Sequence, residues 1–461
     1  MNYVSTRGGV DPADFVDACL TGLAPDGGLF TPEGWPAIAP AAPDEPYPAL
    51  AARVLSAFAG MSVSGADIAA MCEAAYASFA HHAVTPLVQT GPNHWLLELH
   101  HGPTLAFKDV AMQFIAQLYD HALSARGRKM TVLCATSGDT GGAAAAAFAG
   151  AENVDLVILH PDERISPVQR LFMTTTGADN VTNLAVDGDF DDCQAIVKGL
   201  FADRDFVAEA GLSGVNSINW ARIAAQAVYY AAAQAALGPG RPVRFIVPSG
   251  NMGDALAGYV AGRCGLLGGG FETVCAVNRN RTLADLLGAG EMKQAPAVAT
   301  PSPAMDISLP SNFERLMFEA ARRDPSEIRA FYGAYAQSGE ARLPETIRGP
   351  LGCMGLTACA VSDEETLAEI ARTEAETGWL VCPHTAVGLA AARRLPDSDA
   401  ATVVLATAHA AKFPETVEQA IGRRPGLPDR CGALLERGES FECVAADEAA
   451  VRAVIHARLD R

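Results

Sequence analysis

From residue 130 onward, short apolar segments alternate with segments of helical periodicity, and this alternation constrains the fold more than any other feature of the sequence. The apolar segments are short, rich in β-branched residues, and mostly followed by a helical pattern. They lie at Met130–Ala135, Val154–Leu159, Val181–Val186, Val243–Val247, Thr273–Val277 and Thr402–Thr407. Strands that alternate with helices predict a mostly parallel sheet covered on both faces, and hence the α/β class.

Helical patterns account for most of the remaining chain, and 461 residues predict two or three packed units. Between the strands we predict helices at Gly141–Ala149, Pro167–Thr175, Phe190–Phe201, Ala221–Leu237 and Asp254–Cys264. Elsewhere we predict helices at Asp11–Leu20, Ala49–Phe58, Ala66–Phe79, within Phe313–Ala336, near Pro414–Ala420, and on the surface at Asp447–Arg461. A further strand is expected at Trp95–Leu99.

The net charge of −19 excludes some classes of partner. Such a field repels phosphate backbones and anionic lipid surfaces, so we expect neither a nucleic-acid partner nor a membrane partner. A small anionic substrate is still compatible, because backbone dipoles and one Arg or Lys outweigh a diffuse charge at close range.

The eleven cysteines include no CxxC pair, so the sequence predicts neither a zinc site nor a redox dithiol. The run Asp187–Asp192 imitates a calcium loop, but it has Asp192 and Lys198 where that loop needs Gly and Glu. We therefore predict no metal. Met1–Gly9 contains no apolar signal core, and unpaired thiols suit a reducing compartment, so we expect a cytoplasmic protein.

In parallel sheets, ligands bind beyond the carboxyl ends of the strands, so the loops after Ala135, Val247 and Thr407 are the places to search for chemistry. Lys108 adds a fourth candidate, because it is a lone lysine in the apolar stretch HGPTLAFKDV. Burial would favour its neutral amine, the nucleophile that forms a Schiff base. The alternative is a surface lysine paired with an aspartate.

Two glycine-containing turns could each bind an anion. Ser137–Thr140 and Ser249–Asp254 both follow a strand and open a helix, where free backbone N–H groups and the helix dipole attract negative groups. The alternatives are an ordinary helix cap for the first turn and a simple chain reversal for the second. Two anion sites and one apolar lysine indicate a ligand with two separate anionic ends, such as a cofactor phosphate and an amino-acid carboxylate.

Two further groups of polar residues remain open to more than one interpretation. Thr407 ends the last strand, where its hydroxyl could contact a heterocycle nitrogen or simply cap the chain. Ser217, Asn219 and Arg222 open a helix and could bind a phosphate together, or they could form a capped helix with a solvated arginine.

The motifs HGPTLAFKDV, TSGDTGG, NSINWARIAAQ, PSGNMGD and TAHAAKF, in this order, resemble the threonine synthase family. These enzymes depend on pyridoxal phosphate and have fold type II. The similarity extends to MNYVSTRG at the start and to Asp306–Glu314, so it covers nearly the whole chain. It implies parallel-sheet, three-layer domains with an added N-terminal helical segment. The implied divisions are 1–90, a catalytic core at 91–430 with a subdomain at about 110–225, and a C-terminal tail with a helix at 431–461.

The resemblance also implies roles for individual residues. Lys108 matches the lysine that binds the cofactor covalently, and Thr407 matches the residue beside its pyridine nitrogen. The residues that match the loop around the cofactor phosphate are Gly250, Asn251, Met252, Gly253 and Asp254. The residues expected to bind substrate are Thr104, Ser137, Gly138, Asp139, Thr140, Ser217, Asn219 and Arg222, the last three at the phosphate.

The implied reaction converts O-phospho-L-homoserine and water to L-threonine and phosphate, the last step of threonine biosynthesis. Lys108 would hold pyridoxal 5'-phosphate and then move protons at the substrate. One alternative is a phospho-lyase that releases a keto acid and ammonia from an O-phosphoamino acid. The other is a ligand-binding relative without catalysis. The expected partner is a small molecule, and the expected assembly is a monomer or homodimer.

Overall fold

The computed structural model describes residues 1–162 and 165–459, and it confirms the α/β class. The N-terminal elements are β1 (Tyr3–Ser5), α1 (Phe15–Thr21), β2 (Phe30–Pro32), α2 (Tyr47–Ala59) and α3 (Gly65–Tyr76). The three helices predicted here are thus present. The first begins four residues later than predicted, because Asp14 caps it by accepting the N–H of Asp17.

The middle of the chain alternates strands and helices. Its elements are β3 (Leu87–Gly91), β4 (His94–Glu98), α4 (Lys108–Arg126), β5 (Met130–Ala135), α5 (Asp139–Phe148), β6 (Val154–Pro161), α6 (Pro167–Thr174), β7 (Val181–Asp187), α7 (Phe190–Ala202), α8 (Arg204–Ala210) and β8 (Leu212–Ser213). Every strand and helix predicted between residues 95 and 201 is present, whereas β3, α4, α8 and β8 were not predicted.

The remaining elements include several that the sequence patterns did not reveal. They are α9 (Trp220–Leu237), β9 (Val243–Pro248), α10 (Gly253–Arg263), β10 (Phe271–Val277), α11 (Thr282–Ala289), β11 (Glu291–Lys293), α12 (Phe313–Ala320), α13 (Pro325–Ser338), β12 (Glu340–Arg342), α14 (Glu345–Gly352), β13 (Leu356–Ala360), α15 (Asp363–Thr377), α16 (Pro383–Arg393), β14 (Ala401–Ala406), α17 (Pro414–Ile421), β15 (Glu442–Ala445) and α18 (Glu448–Leu459). The predicted helical zone at 313–336 is two helices, because Pro325 starts a new helix after a turn in which Arg322 and Arg323 have positive φ.

The described residues form two larger sheets rather than one. The smaller sheet has the order β15-β7-β6-β5-β8, and all its strand pairs are parallel. The larger has the order β13-β10-β9-β14-β4-β3 and is parallel except for the pair β3–β4. The predicted alternation of strands and helices is confirmed, but the sequence pattern does not reveal which strands share a sheet.

Helices α4 and α9 connect the two sheets. The chain passes from β4 of the larger sheet through α4 to β5 of the smaller one, and it returns from β8 through α9 to β9. Both helices are largely buried and belong to the main hydrophobic core. Lys108 is the first residue of α4, and Arg222 lies in the first turn of α9. The connections between sheets therefore position both residues.

The N-terminal segment packs against the start of α9. Trp220 is fully buried, and its ring centroid lies 5.9 Å from that of Tyr3, 5.6 Å from that of Phe58 and 6.1 Å from that of Trp35. Tyr119 in α4 donates a hydrogen bond of 2.5 Å to the carbonyl of Cys19. The core thus continues from the N-terminal segment into the helices that connect the sheets, and the domain boundary at residue 90 stays a prediction.

The C-terminal residues extend the smaller sheet. β15 pairs in parallel with β7, and Val451 and Ile455 of α18 are fully buried in the core of that sheet. The predicted surface helix at 447–461 is present at Glu448–Leu459, but one of its faces is buried, and its last two residues lie outside the described residues. Within the described ranges, no helix combines the length and apolar composition needed to cross a membrane.

Candidate active site

The amine of Lys108 lies in a mostly enclosed position beside the end of β14. The preceding residue, Phe107, donates its backbone N–H to the carbonyl of Thr407 over 2.8 Å, and Ala106 and Ala408 form an isolated β-bridge. The Lys108 side chain is 12% exposed, and its Nζ lies 3.4 Å from Oδ2 of Asp139. Lys108 is therefore not the solvated surface lysine of the alternative interpretation, although it does have an aspartate neighbour.

Burial lowers the pKa of Lys108 below the usual value for lysine, and the positive charges of Arg222 and Lys412 lower it further, against the opposing effect of Asp139. The neutral amine is thus more accessible here than on an exposed lysine. A neutral amine has the lone pair that a nucleophile or a general base needs.

Asp139 lies at the centre of the charged groups. Its Oδ1 accepts hydrogen bonds from Gln169 Nε2 and binds Lys412 Nζ, both at 2.9 Å, while its Oδ2 faces Lys108. Burial acts to raise the pKa of Asp139, but the charges of Lys412 and Lys108 and the hydrogen bonds outweigh this and hold the pKa well below its usual range. The carboxylate is therefore ionised.

Lys412 is a functional candidate that sequence reasoning missed. Its side chain is completely buried, and Nζ donates to the carbonyl of Thr104 at 2.7 Å in addition to binding Asp139. The ring centroid of Phe172 lies 5.0 Å from the same nitrogen. The sequence did hold a signal, because Lys412 has the same kind of apolar flanking residues, Ala411 and Phe413, that singled out Lys108.

Thr104 and Asp109 form a buried pair just before and inside α4. The Thr104 hydroxyl donates to Oδ1 of Asp109 at 2.6 Å, and its backbone N–H donates to Oδ2 at 2.8 Å. A Cβ on Gly102 would lie 2.4 Å from Cβ of Asp109, so this close approach requires glycine. With these groups engaged, Thr104 shapes the Lys108 loop, and its predicted contact with substrate stays a prediction.

The turn from Ser249 to Asp254 has the properties of an anion-binding site. It follows β9 and opens α10, and Met252 adopts a left-handed conformation with φ of 62°. Within the described ranges, no acceptor is found for the backbone N–H groups of residues 250–254. Several free N–H groups at a helix N-terminus bind a phosphate or carboxylate well.

The turn from Ser137 to Thr140 offers fewer free N–H groups. The hydroxyl of Thr136 accepts the N–H of Gly138 at 2.9 Å and that of Gly141 at 3.0 Å. Within the described part of the chain, the N–H groups of Ser137, Asp139 and Thr140 have no acceptor. The predicted carboxylate site can therefore use those three N–H groups, while Gly138 is engaged in holding the turn.

Ser217, Asn219 and Arg222 do not form one cluster of free donors. The side chain of Asn219 is completely buried, caps α9 by accepting the N–H of Ala221, and donates to the carbonyls of Cys19 and Gly214. Because its polar atoms are engaged inside the protein, Asn219 is a structural cap. No free side-chain group of Asn219 among the described residues supports the prediction that it binds phosphate.

Arg222 remains the strongest candidate of the three for binding an anion. It is 3% exposed rather than solvated, its Nη1 donates to the carbonyl of Val215 at 3.2 Å, and its Nε has no partner among the described residues. Burial lowers the pKa of Arg222 to about 10, which leaves it charged. Its charge acts on both Lys108 and Asp254, so Arg222 lies near both residues.

Asn312 and Arg315 hold these parts together. Asn312 Nδ2 donates to the carbonyls of Ser217 at 3.0 Å and Asn251 at 3.1 Å, which joins the start of α9 to the turn after β9. Arg315 Nη1 in turn donates to Oδ1 of Asn312 at 2.5 Å. The structure thus brings the predicted loops to one place, around Lys108.

His384 is a buried histidine near the same charges, and it too was not predicted. Its Nε2 accepts the N–H of Ala304 at 3.1 Å, and the side chain is 3% exposed. Burial lowers the pKa of His384 to about 4, with Asp139 opposing and Lys108 and Lys412 assisting. The folded protein therefore keeps this ring neutral near pH 7.

We expect this histidine to make stability depend on pH below neutrality. Unfolding returns the pKa of His384 to its ordinary value of 6.5. Between pH 6.5 and about 4, the unfolded chain therefore binds a proton that the folded chain does not bind. The contribution of neutral His384 to the free energy of unfolding is present above pH 6.5 and is lost as the pH falls toward 4. Between pH 7 and pH 5, the melting temperature of a His384→Gln variant should fall less steeply than that of the original protein. Equal slopes would contradict this assignment.

Three family models match the chain. One described as "Pyridoxal-phosphate dependent enzyme" matches residues 79–408, "Threonine synthase N terminus" matches residues 2–76, and "Threonine synthase, C-terminal" matches residues 385–455. Together they cover nearly all of the sequence.

Similar proteins of known sequence and structure agree with these matches. A threonine synthase of Pseudomonas aeruginosa is 43% identical, over 99% of this chain and 98% of its own. The structure of a threonine synthase from Brucella melitensis with pyridoxal phosphate bound is 45% identical, with a TM-score of 0.94 over 99% of both chains. A yeast threonine synthase structure has a TM-score of 0.92 at 35% identity, over 100% of this chain and 99% of its own.

Proposed function

The chain belongs to the threonine synthase family, and from that premise we propose that it converts O-phospho-L-homoserine and water to L-threonine and phosphate. It is a pyridoxal-phosphate enzyme of fold type II. The observation that carries the proposal is the enclosed Lys108 amine, placed among two turns with free N–H groups and a buried arginine. This arrangement suits a substrate with an amino group, a carboxylate and a phosphate.

The residues present fit pyridoxal phosphate. Lys108 would bind it covalently, the free N–H groups of residues 250–254 would hold its phosphate, and Thr407 would lie beside its ring nitrogen. When bound, the cofactor withdraws electrons from the substrate and so makes its Cα and Cβ protons acidic. Thr407 is 5% exposed, and its neutral hydroxyl supplies no negative charge beside the ring.

Lys108 performs the proton transfers in the proposed reaction. With the substrate bound, the neutral amine of Lys108 would take a proton from Cα and move protons at Cβ. Loss of phosphate from Cγ, transfer of a proton to Cγ, addition of the hydroxyl of water at Cβ with its other proton passing to the released phosphate, and return of a proton to Cα would then give threonine and phosphate. The lowered pKa of Lys108, which is caused chiefly by burial, favours the unprotonated form that the first transfer requires.

The remaining residues bind the two ends of the substrate. The N–H groups of Ser137, Asp139 and Thr140 would hold the carboxylate, because they lie free at the N-terminus of α5. Ser217 and Arg222 would hold the γ-phosphate, and a guanidinium suits that role because it donates several hydrogen bonds in one plane. We further propose that the protein is cytoplasmic, because all eleven cysteines are unpaired and free thiols suit a reducing compartment. The proposed assembly is a monomer or homodimer.

The test is a product analysis with O-phospho-L-homoserine and the purified, cofactor-loaded enzyme. We expect threonine and inorganic phosphate in equal amounts, with no ammonia. A keto acid with ammonia would instead indicate the phospho-lyase, which belongs to the same carbon–oxygen lyase class. A protein that neither absorbs visible light nor alters the substrate would indicate a ligand-binding relative. Either of the last two outcomes would overturn the proposal.

A further inference from the structure

We propose that Lys412 is a positioning residue: by pairing with Asp139 it occupies the negative charge that would otherwise bind Lys108, and so keeps the Lys108 amine neutral. The inference rests on the proposed function, in which Lys108 acts as an unprotonated amine. Lys412 does not act on the substrate in this role, because its side chain is completely buried and its Nζ is engaged with protein groups.

The two lysines do not share Asp139 equally. Oδ1 takes two close donors, Lys412 Nζ and Gln169 Nε2, both at 2.9 Å. Oδ2 has Lys108 Nζ at 3.4 Å, which is longer than a normal charge-assisted hydrogen bond. The geometry therefore describes a firm pair between Asp139 and Lys412, with Lys108 as a looser neighbour.

The surroundings of Lys412 suit a permanent ammonium group. Its Nζ donates to the carbonyl of Thr104 at 2.7 Å as well as to Asp139, and the face of Phe172 adds a third favourable contact. A buried cation is stable only when it is paired and hydrogen-bonded, and Lys412 meets both conditions. One carboxylate can neutralise one ammonium group, and Asp139 neutralises that of Lys412.

The other groups that face Lys108 favour the same state. Arg222 on α9 is a buried cation that repels a second positive charge. His384 on α16 is held neutral by its own burial, and Cys134 on β5 is a buried thiol whose pKa burial raises to about 12. Among the charged groups that act most strongly on Lys108, Asp139 is the anion. The pairing of Asp139 therefore determines whether the Lys108 amine is neutral or protonated.

Replacement of Lys412 with methionine keeps most of the length of the side chain, up to Cε, but removes its charge. Asp139 then has Lys108 as its available cation, and Lys108 becomes protonated. In the cofactor-free protein, we expect acetic anhydride to label Lys108 about tenfold more slowly near neutral pH, which corresponds to a pKa rise of about one unit. Mass spectrometry of the Lys108 peptide measures the rate at each pH. Lys198→Met, at an exposed lysine on α7, is the matched control and should leave the labelling curve unchanged.

A double variant separates electrostatic positioning from simple structural support. Asp139→Asn combined with Lys412→Met removes both charges of the pair, so we expect labelling of Lys108 to recover to the original rate or above. A purely structural role predicts no recovery, because two substitutions in the core disturb packing more than one. Unchanged labelling in Lys412→Met, or no recovery in the double variant, would overturn the inference.

Two further measurements keep the test decisive. If Lys412→Met does not fold, Asp139→Asn alone should move the labelling curve of Lys108 to lower pH, and a curve that does not move would overturn the inference. In the loaded enzyme, where the Lys108 amine is free only after the substrate binds, the acid limb of kcat should move to higher pH in Lys412→Met. The labelling experiment needs neither cofactor nor substrate, so its failure is distinct from failure of the product analysis, which tests the proposed function.

Discussion

Replacing Lys108 with alanine should abolish threonine formation, with kcat lowered by more than about 10³-fold. The variant loses both the covalent attachment of the cofactor and the amine that moves protons. It should still fold, because Asp139 keeps its contacts with Lys412 and Gln169. The measurements are threonine formation from O-phospho-L-homoserine, the visible spectrum after addition of pyridoxal phosphate, and circular dichroism as a check on folding.

Lys198→Ala provides the control for this substitution. Lys198 is an exposed lysine on α7, so its removal changes the net charge equally and should leave both the spectrum and the turnover unchanged. Retention of threonine formation in Lys108→Ala would refute the assigned role. Loss of activity together with a loss of secondary structure would show instead that Lys108 is needed for folding, and this would also contradict the prediction.

Replacing Arg315 with methionine should lower the free energy of unfolding by about 3–5 kcal/mol. Arg315 is 2% exposed and donates to Asn312 Oδ1 at 2.5 Å, to the Ile218 carbonyl at 2.6 Å and to the Phe30 carbonyl at 2.9 Å. Each acceptor would be left buried without its donor. Burial lowers the pKa of Arg315 to about 9, yet leaves it charged near pH 7.

Urea unfolding monitored by circular dichroism measures this change. Arg342→Met is the matched control, because Arg342 is 73% exposed and pairs with Glu291 on the surface, where such pairs contribute at most about 1 kcal/mol. Equal losses in the two variants would contradict the structural role of Arg315. Because Asn312 joins Ser217 to Asn251, the Arg315 variant should also bind pyridoxal phosphate more weakly.

The inner strands of the two larger sheets were the most predictable part of the fold, whereas the edge strands β3, β8, β13 and β15 were not predicted. Met130–Ala135 was predicted with its observed ends, because a buried parallel strand is a short apolar run bounded by polar or glycine-containing turns. Helix α16 was missed for a related reason. Nearly every residue of Pro383–Arg393 is buried, so the sequence has no alternation of polar and apolar faces to reveal a helix.

Helix α15 is a different kind of omission, because the sequence did contain a signal for it. Ser362 and Glu365 form a capping box, and a serine followed three residues later by a glutamate is a pattern that the sequence alone displays. The following residues are rich in charge, so apolar periodicity does not reveal this helix. The four predicted site loops come together around Lys108, since each lies beyond a strand end or at the start of a helix.

The pairing of Asp139 with Lys412 was beyond sequence reasoning. The two residues are far apart in the chain, and no periodic pattern relates a turn after β5 to a turn after β14. Asn219 is a second residue whose role could not be decided from the sequence. Its position at the start of a helix suits both a cap and a phosphate ligand, and only its contacts with Cys19 and Gly214 reveal that its amide is engaged inside the protein.

The position of β15 at the edge of the smaller sheet affects how the chain folds during its synthesis. β7 leaves the ribosome long before its neighbour β15, and Asn183 contacts the carbonyl of Ser440 across 257 positions of sequence. During synthesis, β7 is therefore an open edge that can pair with another chain, and it stays open until the C-terminus is released. A nascent chain halted before residue 442 would consequently be prone to aggregate, even though it already contains every residue proposed to bind cofactor or substrate.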